Sequence, residues 1–180
     1  MEKLILEGFM GSGKSTYGRE LAKNLLIKFT DTDCEIEKKN QKTIANIFEL
    51  YGEEAFRNME TDYLLEKSAS LDKVEEIISI GGGMPVRSEN RELMKKIGTV
   101  VYLKAEADFL KKRLRGKDNS RPMLAGDNKD EKIDRLLEER EDAYLDAADY
   151  VLHIDKKDLD SVINELKGIL HGRRKGMREL

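Results

Sequence analysis

Gly8-Phe9-Met10-Gly11-Ser12-Gly13-Lys14-Ser15-Thr16 follows directly on the apolar run Leu4-Ile5-Leu6 and fills every fixed position of the pattern GxxxxGK[ST]. Strand, glycine-rich turn and helix in this order build a cradle for phosphate. The glycines let successive backbone N–H groups converge on phosphate oxygens, Lys14 brings a mobile charge to the β and γ phosphates, and the Ser15 hydroxyl can ligate Mg²⁺. The helix that follows aims its positive end at the same anion. The stretch therefore predicts a nucleotide triphosphate site, with Gly11, Ser12, Gly13, Lys14, Ser15 and Thr16 as its contacts, and it sets the start of an α/β fold.

Outward from this loop, short β-like runs at Leu4 to Glu7, Lys28 to Thr32, Ile77 to Ile80, Val100 to Leu103 and Tyr150 to Ile154 alternate with longer helical patterns, which argues for a parallel sheet. After the loop, Tyr17, Leu21 and Leu25 recur every four residues as one buried helical stripe, while Arg19, Glu20 and Lys23 face elsewhere. More than forty residues separate the second and third strands. Their helical pattern, with Ile44, Ile47 and Phe48 and then Phe56, Met59, Tyr63 and Leu64, marks a ligand-binding insertion. The polar stretch Gly116 to Asn128 carries two glycines and a proline between two helices and reads as a mobile loop.

At 180 residues the chain suits a single domain with a substantial core. A net charge of −3 with 38 % charged residues means both signs are abundant, so no global field recruits nucleic acid or an anionic membrane. A single cysteine, Cys34, excludes an intrachain disulfide framework and a four-cysteine metal site, and fits a reducing compartment. As a residue it reads as a small half-buried thiol rather than a nucleophile. No apolar run approaches the roughly 20 residues of a membrane span, and no targeting segment is evident, so a cytoplasmic location is expected. The basic tail over 172–180 reads as a solvated terminus. His153 and His171 form no metal cluster.

Asp31 and Asp33 lie two apart at the end of the second strand, where a period of two points both carboxylates to one side and where open α/β sheets bind ligands. One carboxylate can support Mg²⁺ while the other accepts a hydroxyl proton during phosphoryl transfer; the alternative makes Asp33 a helix N-cap. Gly81-Gly82-Gly83 directly follows the third strand, where a phosphate-loop protein commonly carries an acidic metal ligand, and no acid stands there. Three glycines let a ligand approach the backbone closely, and the missing acid directs attention to Asp31 as its substitute. Arg121, within Arg121-Pro122-Met123-Leu124, can neutralise charge on a transferring phosphoryl group, or it simply precedes a helix. Arg57 and Arg140 sit among glutamates, a pattern that reads as exposed i,i+3 or i,i+4 pairs, with bidentate recognition of a substrate carboxylate as the functional alternative.

Taken together, Gly8-Phe-Met-Gly-Ser-Gly-Lys-Ser-Thr16, Asp31-Thr-Asp33, Ile47-Phe48, Phe56-Arg57, Gly81-Gly-Gly83 and Arg121-Pro-Met-Leu124 resemble the shikimate kinases in content, order and spacing over nearly the whole chain. The resemblance implies a three-layer α/β fold with a five-stranded parallel sheet of order 2-3-1-4-5, a substrate-binding subdomain at about 33–62 and a lid at about 116–127. It implies transfer of the γ-phosphoryl group of ATP to the 3-hydroxyl of shikimate, a chorismate-pathway step, with Mg²⁺ as cofactor and a monomeric enzyme. By position, Asp33 matches the residue that binds the shikimate hydroxyls and accepts the proton. Arg57 and Arg140 match the arginines that hold the carboxylate, with Glu60 orienting Arg57, and Gly81, Gly82 and Gly83 match the substrate-contacting glycines. Ile44, Phe48 and Phe56 resemble the apolar wall of the pocket. Lys14 and Arg121 match the catalytic phosphate contacts, Ser15 and Asp31 the magnesium partners, and Arg113 or Arg115 the adenine contact, with Lys157 in the late adenine loop. The lid departs from the usual Arg-Pro-Leu-Leu by Met123, and the late loop at Asp155, Lys156 and Lys157 lacks the arginine often found there. A kinase of another small hydroxy acid, such as gluconate, and a non-catalytic ATP-binding regulator are the rival readings.

Overall fold

The computed structural model describes residues 3–70, 74–115 and 128–172. Five strands, β1 (Lys3–Glu7), β2 (Lys28–Asp31), β3 (Glu76–Ser79), β4 (Thr99–Lys104) and β5 (Tyr150–His153), form one parallel sheet in the order β2-β3-β1-β4-β5. The helices are α1 (Lys14–Leu25), α2 (Thr32–Asn40), α3 (Ile44–Ala69), α4 (Ser88–Ile97), α5 (Ala107–Leu114), α6 (Lys129–Ala147) and α7 (Leu159–His171), with a 3₁₀ turn at Met84–Val86. The parallel α/β architecture is the one the β–α alternation predicts, and the strand order is the one the resemblance implies. Strand bounds agree to within a residue or two; the largest consequence is at Thr32, which begins α2 rather than ending β2.

Along β1 and β3 the alternation of side chains divides the core in two. Leu4 and Leu6 join Ile77, Val101 and Leu103 in a cluster with Tyr17 and Leu21 of α1 and Val162 and Leu166 of α7. Ile5 joins Ile78, Ile80 and Val100 in a second cluster with Leu64, Leu93, Met94 and Ala147. Covered on both faces, β1 is buried at every residue, as the centre of a parallel sheet must be. Alternation therefore places Glu7 on the Ile5 face.

The insertion between β2 and β3 holds a third cluster of its own, Ile36, Ile47 and Phe56, with Ile44, Phe48, Met59 and Tyr63 packed on it. Within it α3 breaks at Gly52, whose φ of 80° and ψ of 172° are non-helical. The run was expected to be helical, but this bend was not foreseen. A left-handed φ at glycine carries little steric cost, so the chain bends there without strain.

The insertion is fastened to the amino end of β3 by a buried charge. Glu76 is 2 % exposed and takes a hydrogen bond from Thr30 at 2.5 Å and an ion pair from Lys67, at the end of α3, at 2.6 Å, with Lys28 at 3.2 Å. Burial pushes its carboxyl up, but the Lys67 and Thr30 bonds outweigh burial and hold it below the ordinary carboxylate value. A depressed folded pKa gives stability that is full above the unfolded value and lost as pH falls through the folded one. Glu76→Gln is therefore expected to lower the unfolding free energy by about 1–3 kcal/mol at neutral pH. Denaturant titrations at falling pH should show the gap to wild type closing on the acid side, and a constant gap would locate the effect in packing.

Candidate active site

The donor half is the turn from β1 into α1. Gly13 caps α1 with φ 95° and no side chain caps the helix, and no acidic residue occupies its first turn, so its leading N–H groups face an anion without internal competition. Lys14 is buried and its Nζ donates to the carbonyls of Gly8 at 2.8 Å and Phe9 at 3.1 Å, curled against its own loop. The loop is closed by the Ser12 amide donating to the Phe9 carbonyl at 3.1 Å, with the Ser12 side chain buried.

The Ser15 hydroxyl donates to Asp31 Oδ2 at 2.6 Å and lies 3.2 Å from the Ser79 hydroxyl. Ser79 ends β3 and pairs in register with Asp31, so the carboxylate missing from β3 is supplied by the neighbouring strand. Asp31 Oδ1 meanwhile accepts from the amides of Asp33 at 3.1 Å and Cys34 at 3.5 Å, capping α2. The cap is thus Asp31, not Asp33, because the strand ends one residue earlier than expected. Asp33 consequently sits in the first turn of α2 rather than on the strand, and strand alternation does not relate the two. A hydroxyl backed by a carboxylate is a hard oxygen set that fits a hydrated divalent cation completing its shell from phosphates and water. Among the described residues no cluster of three or more His, Cys, Asp or Glu could hold a metal alone.

The acceptor half faces this loop across one cavity of about 630 Å³, lined by Lys14, Ser15, Asp31, Asp33, Arg57, Glu60, Gly81, Gly82, Gly83, Arg113 and Arg140, with Ile44, Phe48 and Phe56 as an apolar wall. Arg57 and Arg140 are not the exposed pairs that their patterns suggest: the Arg57 side chain is 12 % exposed and Arg140 is 5 % exposed. The helix faces carrying them turn inward onto the loop after β3. Arg57 donates from Nη1 to Glu60 at 2.7 Å and from Nη2 to Glu53 at 2.8 Å, while Arg140 donates to the Gly82 carbonyl at 3.2 Å. Burial pulls the Arg57 guanidinium down, but Glu60 and Glu53 more than offset it, so it stays charged.

The triple glycine is a contact surface. A Cβ on Gly81 would lie 2.7 Å from Asp33 Oδ1 and 2.8 Å from Glu60 Oε1, and one on Gly83 would lie 2.5 Å from the Arg57 guanidinium nitrogens. Only glycine lets the carboxyls and the guanidinium crowd the backbone here. The Gly81 amide donates to the Thr32 hydroxyl at 3.1 Å, tying this loop to the start of α2.

Arg113 lines the cavity and stacks over Phe109 at 5.4 Å, whereas Arg115 is exposed and pairs with Asp130 at 3.3 Å. Lys157 pairs with Glu165 at 2.6 Å and is not among the residues lining this cavity. Arg121, the lid over 116–127 and the tail over 173–180 lie outside the described residues. Cys34 is exposed rather than half-buried, since α2 turns it outward; partial desolvation and the Asp31, Glu37 and Asp33 carboxylates hold its thiol up, which removes a thiolate nucleophile. Sequence reasoning missed Ser79, Tyr144 and Glu53. Tyr144 lies one turn after Arg140 on the same face and donates its hydroxyl to the same Gly82 carbonyl; the i,i+4 spacing was a readable signal. No described helix is long and apolar enough to cross a membrane.

A family model described as shikimate kinase matches residues 10–170. The shikimate kinase of Thermoanaerobacter pseudethanolicus is 37 % identical over 166 residues, covering 92 % of this chain and 94 % of that one. A solved structure of shikimate kinase from Acinetobacter baumannii in complex with shikimate superposes with a TM-score of 0.87 at 34 % identity, covering 94 % of this chain and 93 % of that one. A gluconokinase from Sinorhizobium meliloti shares the fold with a TM-score of 0.58 at 13 % identity, over 94 % of this chain and 91 % of that one.

Glu60 is the electrostatic pivot of the acceptor half. It is fully buried; burial drives its carboxyl up, Arg57 pulls it down, Asp33 pushes it up and Arg140 pulls it down, leaving it at about 7. Carboxyl ¹³C NMR should show a glutamate titrating near neutrality that is missing from Glu60→Gln. A Glu60 midpoint in the ordinary carboxylate range would mean that the arginines outweigh burial.

Proposed function

The chain belongs to the shikimate kinase family, and from that premise we propose that it transfers the γ-phosphoryl group of ATP to the 3-hydroxyl of shikimate, giving 3-phosphoshikimate and ADP. The observation that carries this reading is that one cavity brings a phosphate loop to face a buried arginine, Arg140, a half-buried one, Arg57, and a carboxylate. As a family member it is an ATP-dependent kinase. The cavity supports an acceptor that is small, anionic and hydroxylated.

In this reading the shikimate carboxylate lies between Arg57 and Arg140, whose planar guanidinium groups give bidentate, charge-assisted hydrogen bonds. That clamp orients the ring so that its hydroxyls meet Asp33. Asp33 takes the hydroxyl proton as the oxygen–phosphorus bond forms and the bond to the ADP oxygen breaks, while Lys14 leaves the Gly8 and Phe9 carbonyls to neutralise the β and γ phosphates. Ser15, its hydroxyl fixed by Asp31, would hold Mg²⁺, which when bound neutralises charge on the β and γ phosphates. Asp31, with both oxygens already engaged, would act on the ion through water. We read Arg121 as a further phosphate contact on a lid at about 116–127, Arg113 as a nucleotide contact beside the loop, and 33–62 as the substrate-binding subdomain. Catalysis comes chiefly from positioning and charge neutralisation.

A kinase of another hydroxy acid needs the same carboxylate clamp, so ADP release must be compared across shikimate, quinate and gluconate. Shikimate is expected to be preferred, and turnover with gluconate alone would overturn the assignment. Two variants separate the roles. Asp33→Asn is expected to lower kcat by about a hundredfold to ten-thousandfold with little effect on KM for ATP; near-normal kcat with intact binding removes Asp33 as base. Arg57→Lys, which keeps charge but loses the planar fork, is expected to raise KM for shikimate by about tenfold or more, and an unchanged KM would place the carboxylate elsewhere.

A further inference from the structure

Glu7 is a carboxyl without a structural reason. It is 0 % exposed at the carboxyl end of β1, immediately before the phosphate loop, and neither carboxyl oxygen has a hydrogen-bond partner among the described residues. An isolated carboxyl in that position costs stability that an apolar side chain would not. Its register partner is Tyr102 on β4.

The charged and titratable groups facing it come from every element packed around it: Lys14 of α1, Asp149 before β5, Arg91 and Lys95 of α4, Tyr102 of β4 and Tyr144 of α6. Of these Arg91 is already engaged by Asp146 at 2.5 Å, and the Tyr102 and Tyr144 hydroxyls are spent on Glu141 and the Gly82 carbonyl. Lys14 is the chief attractive partner. Its ammonium is anchored on the carbonyl of Gly8, the residue next to Glu7.

We propose that Glu7 is a positioning residue for the donor half: its carboxylate restrains the Lys14 ammonium against the loop, and protonation of that carboxyl releases Lys14 to the nucleotide phosphates. Burial pushes the Glu7 carboxyl well above the ordinary range, Lys14 pulls it back and Asp149 pushes it further up. When Lys14 moves to phosphate, the restraint on the carboxyl weakens and it binds its proton more tightly. Linkage then requires that nucleotide binding takes up a proton and that affinity falls as pH rises through the Glu7 titration. Glu7 touches no reacting atom; it acts through Lys14.

This inference rests on the kinase reading, in which Lys14 holds the nucleotide, and titration calorimetry of Mg²⁺-ADP into the full chain separates the two. Wild type, Glu7→Gln and Glu7→Leu are compared over the full pH range in which the chain stays folded, in buffers of different ionisation enthalpy. Wild type is expected to take up more protons per ADP bound than either variant. Above the Glu7 titration both variants should bind ADP roughly fivefold more tightly than wild type, the size of one partly screened ion pair, and the three should converge as pH falls. Melting at or above the wild-type temperature shows the variants folded, and the leucine variant serves if the glutamine one does not fold. Variants that share the wild-type proton uptake and pH dependence, or bind ADP more weakly at every pH, overturn the inference alone. A wild-type chain that binds no ADP overturns the kinase reading and this inference with it.

Discussion

One carboxylate joins the two halves of this molecule. Asp31 spends Oδ1 on the amides that open α2 and Oδ2 on the Ser15 hydroxyl, so the start of the acceptor-side insertion and the start of the phosphate-loop helix hang on the same side chain. An N-cap of this type is worth about 1 kcal/mol, and a hydrogen bond to a charged group about 1.5–3 kcal/mol. Those magnitudes are modest. The geometric consequence is larger, because the cap fixes where α2 begins and hence turns Asp33 toward Gly81 and Glu60 rather than along the strand. The same bond spends the Ser15 proton on Asp31 and leaves the hydroxyl oxygen as an acceptor.

The acceptor half balances charge in a small space. Two guanidinium groups, Arg57 and Arg140, share the cavity with Asp33 and Glu60, and Glu53 also pairs with Arg57, so ionised carboxylates oppose the pull of the arginines on an anionic acceptor. A Glu60 carboxyl poised at about 7 shifts that balance near neutrality: in its protonated form it no longer opposes a bound carboxylate. Burial makes the choice consequential, since attraction between charges grows as water is excluded. Glu60 and Glu53 thus hold Arg57 in place while the balance decides how strongly that arginine reaches outward.

The phosphate loop and the β–α alternation were legible because they rest on local rules: glycine at fixed offsets, apolar runs of strand length and a helical stripe at Tyr17, Leu21 and Leu25. Of the acceptor site, the residues themselves pointed to Asp33 and the triple glycine, and only the resemblance favoured Arg57 and Arg140 as a carboxylate clamp. Arg57 and Arg140 lie among glutamates at helical spacing, and nothing in one helix says whether its charged face meets water or another loop; only the packing of α3 and α6 onto Gly82 and Gly83 decides. The cap open to Asp33 falls to Asp31 because the strand ends a residue earlier than expected. The bend at Gly52 and the buried Glu7 show the same limit, since a lone glycine in a helical run and a lone acid in a strand acquire meaning from tertiary contact.

Strand order explains why these pieces meet at all. With β3 between β2 and β1, the segments that follow β2, β3 and β1 leave the same edge of the sheet side by side, carrying Asp33, Gly81 to Gly83 and the phosphate loop. Neighbouring strands lie about 4.8 Å apart, so the Asp33 segment and the phosphate loop are separated by about 10 Å with the triple glycine between them. A side chain on any of the three glycines would widen or fill that interval. Gly82 abuts the loop directly: a Cβ there would lie 3.2 Å from the Gly8 carbonyl and 3.4 Å from the Met10 amide. Gly8 holds Lys14 and Gly82 holds Arg140 and Tyr144, so the charge proposed to meet the phosphates and the charge proposed to meet the acceptor are anchored on neighbouring backbones. In-line transfer demands that donor and acceptor atoms be held within a few tenths of an ångström. Mounting both on adjacent strands of a rigid sheet, rather than on separate loops, is how this fold meets that demand.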